Sequence, residues 1–304
     1  MNDAGCRVPA VGGRVAPGTI GCLVEQLASS LGAAGVHDSL AEARDIVAAV
    51  LDVPRLWPSV NRDAIVEDAT RAAALAAARL RARGAPFAYA VGKAAFRHLT
   101  LDVDERVLIP RPETEMLVEA VLTRVRDGVA VDIGTGSGAI AIALATEGRY
   151  ERVIATDVSL GALAVARANA ERLATGARAA PIELRHGSLL APLAGVRARV
   201  VVSNPPYIAT GEATSLPRGV RDWEPAVALF SGPDGMMATA RIIDGATAIL
   251  EAGGLLALEV DARRAPLAAE LAMANGGYRD VAIALDLAGR ARYLFATRTP
   301  TRTS

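Results

Sequence analysis

The sequence predicts an α/β protein: a mostly parallel sheet of seven strands with helices on both faces, preceded by a small helical domain and a β-hairpin linker. Three observations predict this class. Apolar residues recur every three or four positions up to about residue 84, as on one face of a helix. Short alternating segments follow over residues 86–107. From residue 111 onward, strand-like and helix-like segments alternate, and such a sheet binds its ligands at the carboxyl ends of its strands.

These changes in texture divide the chain into four regions. They are a flexible tail (residues 1–22), a helical domain (residues 23–85), the hairpin linker (residues 86–110) and the sheet domain (residues 111–304). In the helical domain the apolar spacing predicts helices over residues 24–31, 40–53 and 65–80. Ser39 followed by Glu42 is a capping-box pattern for the second helix.

Residues 69–101 contain no acid. Six basic residues lie there: Arg71, Arg79, Arg81, Arg83, Lys93 and Arg97. We interpret this stretch as a solvated helix face, and the alternative is a docking strip for an anionic partner.

The sheet domain contains seven strand-like segments. They cover residues 129–134, 152–158, 181–187, 198–204, 254–260, a run around Val281, and residues 293–296. Helices are predicted from about Gly138 and over residues 162–173, 238–250 and 265–274.

Composition and charge exclude several classes of protein. The chain has 304 residues, with 33 basic and 33 acidic side chains, so it lacks the overall charge of a protein that holds long nucleic acids. Its two cysteines, Cys6 and Cys22, and three dispersed histidines form neither a disulfide framework nor a metal-ligand spacing. The sequence has no signal-peptide pattern and no run of about 20 apolar residues, so we expect a cytoplasmic protein.

The first motif is a glycine-rich turn at residues 134–138, between a strand and a helix. Glycines at alternating positions allow the backbone to turn sharply and bring its amides close to a ligand at the helix amino terminus. Related turns occur in dinucleotide-binding proteins, and a tight strand-to-helix connection is the simplest alternative.

Asp157 ends the next strand, about 20 residues after the turn, where a carboxylate can accept hydrogen bonds from both hydroxyls of a ribose. This position is consistent with a nicotinamide dinucleotide or with S-adenosylmethionine. An ordinary helix N-cap is the alternative.

The third motif is Asn-Pro-Pro-Tyr at residues 204–207, after the fourth strand. The side-chain carbonyl of Asn204 and the backbone carbonyl of Pro205 can both accept hydrogen bonds from one planar NH2 group. Pro206 stiffens the loop, and Tyr207 offers a flat ring for stacking. This motif indicates a substrate that reacts at an amide nitrogen or an exocyclic amine, with a mere turn as the alternative.

Together the three motifs resemble those of the Rossmann-like methyltransferases that act on planar nitrogens. Residues 108–115, Leu-Ile-Pro-Arg-Pro-Glu-Thr-Glu, are similar to the hallmark of the peptide chain release factor glutamine methyltransferases, the HemK/PrmC family. The resemblance covers about residues 24–297. It implies a Rossmann-like seven-stranded methyltransferase sheet and a helical domain that helps to engage the release factor. The implied activity is methyl transfer from S-adenosyl-L-methionine to the glutamine of the Gly-Gly-Gln motif.

The resemblance also implies site residues. The expected cofactor-binding residues are Gly134, Thr135, Gly136, Ser137, Gly138, Asp157, Ser188, Leu189 and Asn204. The expected catalytic and substrate-binding residues are Asn204, Pro205, Pro206 and Tyr207, with Arg111 and Glu113 as further substrate contacts, and no metal is expected. Two features depart from the family pattern: Ser188 replaces the usual acid near the adenine, and residues 260–264 lack the usual Gly and Gln.

Two other functions compete with this one. An adenine-N6 methyltransferase acting on nucleic acid would use the same pair of acceptors on a flipped base. A non-catalytic adaptor that binds release factors would explain the departures at Ser188 and after Glu259. We expect a monomer whose partner is a release factor, without stable nucleic-acid or membrane binding.

Overall fold

The computed structural model describes residues 18–176 and 178–300, and the chain divides after Lys93 into two compact units. The predicted tail therefore lies outside the described residues as far as residue 17. Among the residues described, no helix is long and apolar enough to cross a membrane.

The first unit is a group of helices around an apolar core. The helices are α1 (Ile20–Ala33), α2 (Ser39–Leu51), α3 (Trp57–Val60), α4 (Asp68–Ala82) and α5 (Phe87–Val91). Leu23, Leu27 and Leu31 of α1 are fully buried at a spacing of four residues, and they share a core with Ile46 of α2 and Ala74 of α4. The helical spacing of apolar residues therefore forms the packed faces of these helices.

The structure differs from the predictions at the starts of two helices and at one helix cap, among other small shifts of the helix ends. Helix α1 begins at Ile20, within the predicted tail, and α4 begins at Asp68 because Ile65 instead forms an isolated bridge with Thr19. The predicted capping box at Ser39 is wrong: the residue before α2 is Asp38, in the left-handed conformation, with no side-chain cap. The Glu42 carboxylate forms an ion pair with Arg81 instead.

Three of the basic residues in the acid-free stretch pair with acidic residues from elsewhere in the chain. Arg81 pairs with Glu42, Lys93 lies 3.4 Å from Asp52, and Arg97 lies 2.6 Å from Glu147. The local excess of positive charge is therefore smaller in the fold than along the sequence.

The predicted hairpin is present but shorter than the predicted linker. Residues 87–91 are the helix α5, and the hairpin consists of β1 (Lys93–Phe96) and β2 (Leu99–Asp102). Asn169 of α8 (Leu160–Leu173) accepts from the Asp102 amide at 2.8 Å and donates to its carbonyl at 2.9 Å. The hairpin is thus fixed to a helix of the second unit.

The second unit contains a seven-stranded sheet, which confirms the predicted fold class. Its strands are β3 (Val129–Ile133), β4 (Arg152–Asp157), β5 (Ile182–His186), β6 (Ala198–Ser203), β7 (Leu250–Glu259), β8 (Tyr278–Leu285) and β9 (Ala291–Arg298). The order across the sheet is β5-β4-β3-β6-β7-β9-β8; the first five strands are parallel, and β9 is antiparallel to both of its neighbours. All five residues of β3 are buried, as expected for a central parallel strand covered on both faces.

Helices and short turns connect these strands. The helices, besides α8, are α6 (Pro112–Arg124), α7 (Ala139–Glu147), α9 (Arg218–Arg221), α10 (Ala226–Leu229), α11 (Met237–Ala246) and α12 (Ala265–Ala274). The helix predicted over residues 238–250 ends at Ala246, because Leu250 already pairs with Ala198 in the sheet. The short helices α9 and α10 lie in the long connection after β6, which also carries the Asn-Pro-Pro-Tyr loop.

Candidate active site

The three sequence motifs meet at one edge of the sheet. The glycine-rich turn follows β3, Asp157 ends β4, and Asn204 follows β6. Because β4, β3 and β6 are neighbouring parallel strands, their carboxyl ends lie side by side. The topology therefore brings together residues that are up to 70 positions apart, such as Ile133 and Ser203, which are bonded at 2.6 Å.

The glycine-rich turn is shaped by its backbone and held by buried side chains. Gly134 and Gly136 have φ angles of 73° and 55°, in the left-handed region that favours glycine. The Thr135 hydroxyl donates to Asp132 at 2.7 Å, and the Ser137 carbonyl accepts from Asn169 at 2.9 Å. These bonds fix the turn from behind, so Gly134 and Gly136 are left facing open space.

Asp157 is held by backbone amides on both sides. Its carboxylate accepts from the Gly136 amide at 2.9 Å and from the Ser159 amide at 2.8 Å. It is not the helix N-cap, because Ser159 occupies that position and its hydroxyl accepts from the Ala162 amide. A carboxylate has about four lone-pair sites, so two remain for hydroxyl donors such as those of a ribose.

A cavity of 290 Å³ opens over this edge of the sheet. Its lining includes six of the predicted cofactor-binding residues: Gly134, Gly136, Asp157, Ser188, Leu189 and Asn204. Apolar side chains also line it, among them Val227 and Phe230 from the connection after β6 and Met237 at the start of α11. A carboxylate with free lone pairs beside glycine backbone and an apolar wall fits an adenosyl cofactor.

A second cavity, of 80 Å³, adjoins the first. The two cavities share the lining residues Leu108, Asn204 and Ala228. Pro205, Tyr207 and Arg111 line only the smaller one. Arg111 forms an ion pair of 2.5 Å with Glu224, whose side chain is 1% exposed. Asn204 thus stands where a cofactor-sized space meets a smaller one.

The hydrogen bonds of Asn204 leave its carbonyl oxygen free. Its Nδ2 donates to the Thr114 hydroxyl at 3.0 Å. Within the described residues, neither Asn204 Oδ1 nor the Pro205 carbonyl oxygen accepts a hydrogen bond. Two acceptors are therefore available on one stiff loop, as the sequence motif predicts for binding a planar NH2 group.

Four predicted site residues line neither cavity. Thr135, Ser137 and Gly138 shape the turn, as described above, and do not border the open space. Glu113 lies at the start of α6, where its carboxylate is 3.3 Å from Arg290 and its carbonyl accepts from the Tyr293 hydroxyl. The structure thus separates residues that border the cavities from residues that support them.

Two buried acids beside the site were not among the predicted site residues. Burial raises the pKa of Asp132 to about 7, and its Oδ1 has no hydrogen-bond partner in the part of the chain described. Burial also raises the pKa of Glu259 to about 7, although the Thr114 hydroxyl and Arg292 favour its charged form. The signal for Asp132 was an acid inside an otherwise apolar strand; Glu259 lies far along the chain from the other motifs.

Comparison with known proteins agrees with the resemblance seen in the sequence, and each of the two units matches a protein family. Residues 23–92 match the PrmC N-terminal domain family, and residues 112–217 match the methyltransferase small domain family. The release factor glutamine methyltransferase of Rhodopirellula baltica is 36% identical over 286 residues, which cover 91% of this chain and 96% of that protein. The enzyme of the same name from Moorella thermoacetica is 44% identical over 221 residues, covering 72% of this chain and 77% of that protein.

The fold is shared more widely. The crystal structure of a methyltransferase from Pyrococcus furiosus superposes with a TM-score of 0.51 at 20% identity, covering 68% of this chain and 92% of that one. This likeness supports the fold alone, whereas the identity to the Rhodopirellula baltica enzyme extends over 91% of this chain. The chain belongs to the release factor glutamine methyltransferase family.

Proposed function

We propose that this enzyme methylates the side-chain amide nitrogen of the glutamine in the Gly-Gly-Gln motif of a peptide chain release factor. One observation carries the proposal: Asn204 lies at the junction of two cavities, and two unpaired acceptors, its Oδ1 and the Pro205 carbonyl, are available there. The methyltransferase fold and the family membership support the reaction type. The substrate is supported by the names of the relatives.

S-adenosyl-L-methionine supplies an electrophilic methyl group when it is bound. In our proposal the larger cavity holds it, with the backbone of Gly134 and Gly136 and the free lone pairs of Asp157 facing its adenosyl part. Ser188 and Leu189 line the same cavity after β5, so Ser188 has a place beside the cofactor although it lacks a carboxylate. Thr135, Ser137 and Gly138 support the turn that Gly134 and Gly136 expose.

The acceptor pair addresses the main chemical difficulty of the reaction. An amide nitrogen is a poor nucleophile, because its lone pair is delocalised into the carbonyl. If Asn204 Oδ1 and the Pro205 carbonyl accept from both N–H groups, they turn the nitrogen lone pair toward the methyl group. They also stabilise the positive charge that the nitrogen carries until it releases one proton. No strong base is needed before the new bond forms.

Of the remaining predicted substrate contacts, Tyr207 and Arg111 line the smaller cavity, Pro206 lines the larger one, and Glu113 lines neither. Pro206 keeps the loop stiff, and Tyr207 offers a ring for packing against the planar amide. Burial raises the pKa of Tyr207 to about 12, so its hydroxyl stays neutral. Arg111 borders the smaller cavity, and Glu113 stays a predicted contact with the protein around the glutamine. We further infer that the enzyme acts in the cytoplasm as a monomer, without stable nucleic-acid binding.

The test offers the methyl donor with a release factor, with the same factor carrying Ala in place of the glutamine, and with adenine-containing DNA or RNA. We expect one methyl group, located by mass spectrometry, on the glutamine alone. Methylation of nucleic acid would favour the adenine-N6 alternative. Binding of the release factor without methyl transfer would favour the adaptor.

The Asn204→Ala variant tests the acceptor pair. We expect turnover to fall by roughly a hundredfold, while cofactor affinity changes little, because the lost oxygen faces the substrate amide. Single-turnover kinetics and calorimetry of cofactor binding measure the two effects separately. Wild-type turnover in this variant would refute the role of Asn204.

A further inference from the structure

We propose that Thr114 and Glu259 are positioning residues that hold the Asn204 amide with its oxygen toward the substrate. The inference rests on the proposed function, because it concerns the orientation of the acceptor that binds the glutamine. Neither residue was expected in the site, and neither lines either of the two cavities described above. Both act through Asn204.

The three side chains form one chain of hydrogen bonds. The Asn204 Nδ2 donates to the Thr114 hydroxyl at 3.0 Å, and that hydroxyl donates to Glu259 Oε2 at 2.7 Å. Thr114 is 5% exposed and Glu259 is 1% exposed, so the bond between them is shielded from water.

The fold brings these residues together from three elements. Ser203 pairs with Leu258 in the neighbouring parallel strands β6 and β7, so the next residues, Asn204 just after β6 and Glu259 at the end of β7, lie at the same edge. Thr114 lies in the first turn of α6 and bonds to Glu259 from there. The contact between Thr114 and Glu259 spans 145 positions of the chain.

The polarity of this chain fixes the amide. A threonine hydroxyl has one proton, and Thr114 donates it to Glu259 Oε2, an oxygen that accepts both when the carboxyl group is ionised and when it carries its proton on Oε1. The hydroxyl can then only accept from Asn204, so the NH2 group of Asn204 points to Thr114 and Oδ1 stays free for the substrate. Without this hydroxyl, the amide could turn its NH2 group toward the substrate, and two donors would face each other.

A purely structural role is the competing explanation, because the bond between Thr114 and Glu259 also joins α6 to the sheet. The two explanations differ in what they change. A structural role affects stability and cofactor affinity together. A positioning role affects turnover, while folding and cofactor affinity stay close to wild type.

The experiment compares three substitutions in the full chain. Thr114→Val keeps the shape of the side chain and removes the hydroxyl, whereas Thr114→Ser keeps the hydroxyl. Thr239→Val is the matched control, since Thr239 is equally buried, lines neither cavity, and its hydroxyl has no hydrogen-bond partner in the described residues. For each protein we measure kcat and KM with a release factor, the cofactor Kd and the thermal unfolding midpoint.

We expect Thr114→Val to lower kcat at least about tenfold with the cofactor Kd within about twofold of wild type. Thr114→Ser should recover most of kcat, and Thr239→Val should retain it. The proposal is overturned if Thr114→Val keeps kcat within about twofold of wild type, or if Thr114→Ser loses as much as Thr114→Val.

Two further outcomes are decided in advance. If Thr114→Val does not fold, Thr114→Ala is measured in its place, because it removes the same hydroxyl and leaves a smaller side chain. If neither variant binds the cofactor, Thr114 is structural and the proposal fails. If the wild-type enzyme does not methylate the release factor, the proposed function fails. With an active wild type, the positioning role alone fails in any of three cases: the variants without the hydroxyl keep kcat, Thr114→Ser loses as much as Thr114→Val, or neither variant without the hydroxyl binds the cofactor.

Discussion

At the residue scale, the candidate site depends on polar atoms that the fold has partly satisfied. Asp157 already accepts two backbone amides, and Asn204 already donates to Thr114. Each residue keeps unused hydrogen-bond acceptors for a ligand: two lone pairs on the Asp157 carboxylate and the free Oδ1 of Asn204. A side chain that is held in this way loses little freedom when the ligand binds, and such preorganisation favours both affinity and rate.

The Asp157→Ala variant tests this at the cofactor. We expect cofactor affinity to fall at least about tenfold, because bonds to a charged carboxylate contribute about 1.5–3 kcal/mol each and the Gly136 amide also loses its partner. Calorimetric titration with S-adenosyl-L-methionine measures the loss. Asp127→Ala, which removes an acid that is 80% exposed and lines neither cavity, serves as the control. Wild-type affinity in Asp157→Ala would count against the ribose role.

Single residues could be predicted where the signal was local. Asp157 and Asn204 each follow a strand-like run, so their place at one sheet edge follows from the order of segments. Thr114 and Glu259 could not be linked in this way, because their contact depends on the packing of α6 against β7. The spacing of residues along the chain does not predict how α6 packs against β7.

At the element scale, the Asn-Pro-Pro-Tyr loop is packed against the connection that precedes α11. Gly235 in that connection has a φ of 78°, and a Cβ added there would lie 2.5 Å from the Tyr207 carbonyl oxygen and 2.7 Å from Arg264 Nε. Arg264 in turn donates to the Asp234 carbonyl and bonds to Glu212. The loop is therefore held by a close backbone approach that only glycine allows.

Gly235→Ala should therefore displace the loop and lower turnover several-fold, in addition to the roughly 1 kcal/mol cost of placing Ala at a positive φ. Gly276→Ala is the matched control: its φ is 71°, and a Cβ there would meet nothing within 4 Å. We expect thermal unfolding to show a similar loss of stability from the positive φ in both variants, whereas kcat should fall only in Gly235→Ala. Equal kcat in the two variants would show that the loop does not depend on this contact.

The elements themselves could be predicted to different degrees. The long strands and the helices α1, α2, α4, α8 and α12 follow from apolar spacing, because burial of one face decides their structure. The short helices α3, α5, α9 and α10 have four or five residues each and too few turns to show a period. The capping box at Ser39 failed because Glu42 has a stronger partner in Arg81, which only the packed helices bring near.

At the scale of the whole molecule, the chain has 33 basic and 33 acidic residues, but not every acidic side chain is ionised in the fold at neutral pH. Asp132 and Glu259 lie under the site with burial as the main influence on both, and the pKa of each is raised to about 7. Both carboxyl groups therefore hold their protons in the fold at pH values where the unfolded chain has released them. The site is maintained at some cost in stability, as is common where function and folding make different demands.

The raised pKa of Asp132 predicts how the stability of the fold depends on pH. The ordinary pKa of an Asp side chain is 3.8, and that of folded Asp132 is about 7, so between these values the unfolded chain binds fewer protons than the fold. The free energy of unfolding of the sheet unit should therefore fall as the pH rises from about 4 to about 7 and then level off, by an amount of the order of a few kcal/mol at most.

Asn in place of Asp132 cannot ionise, and its oxygen can still accept from Thr135 and the Ala141 amide. Asp132→Asn should thus gain stability relative to wild type as the pH rises through this window. Denaturant unfolding of both proteins without cofactor, at several pH values from about 5 to about 8, measures the difference. Glu259 contributes the same slope to both proteins, so it cancels in the comparison. A difference that stays constant with pH would mean that folded Asp132 is ionised throughout, and that its buried, unpartnered Oδ1 carries no proton.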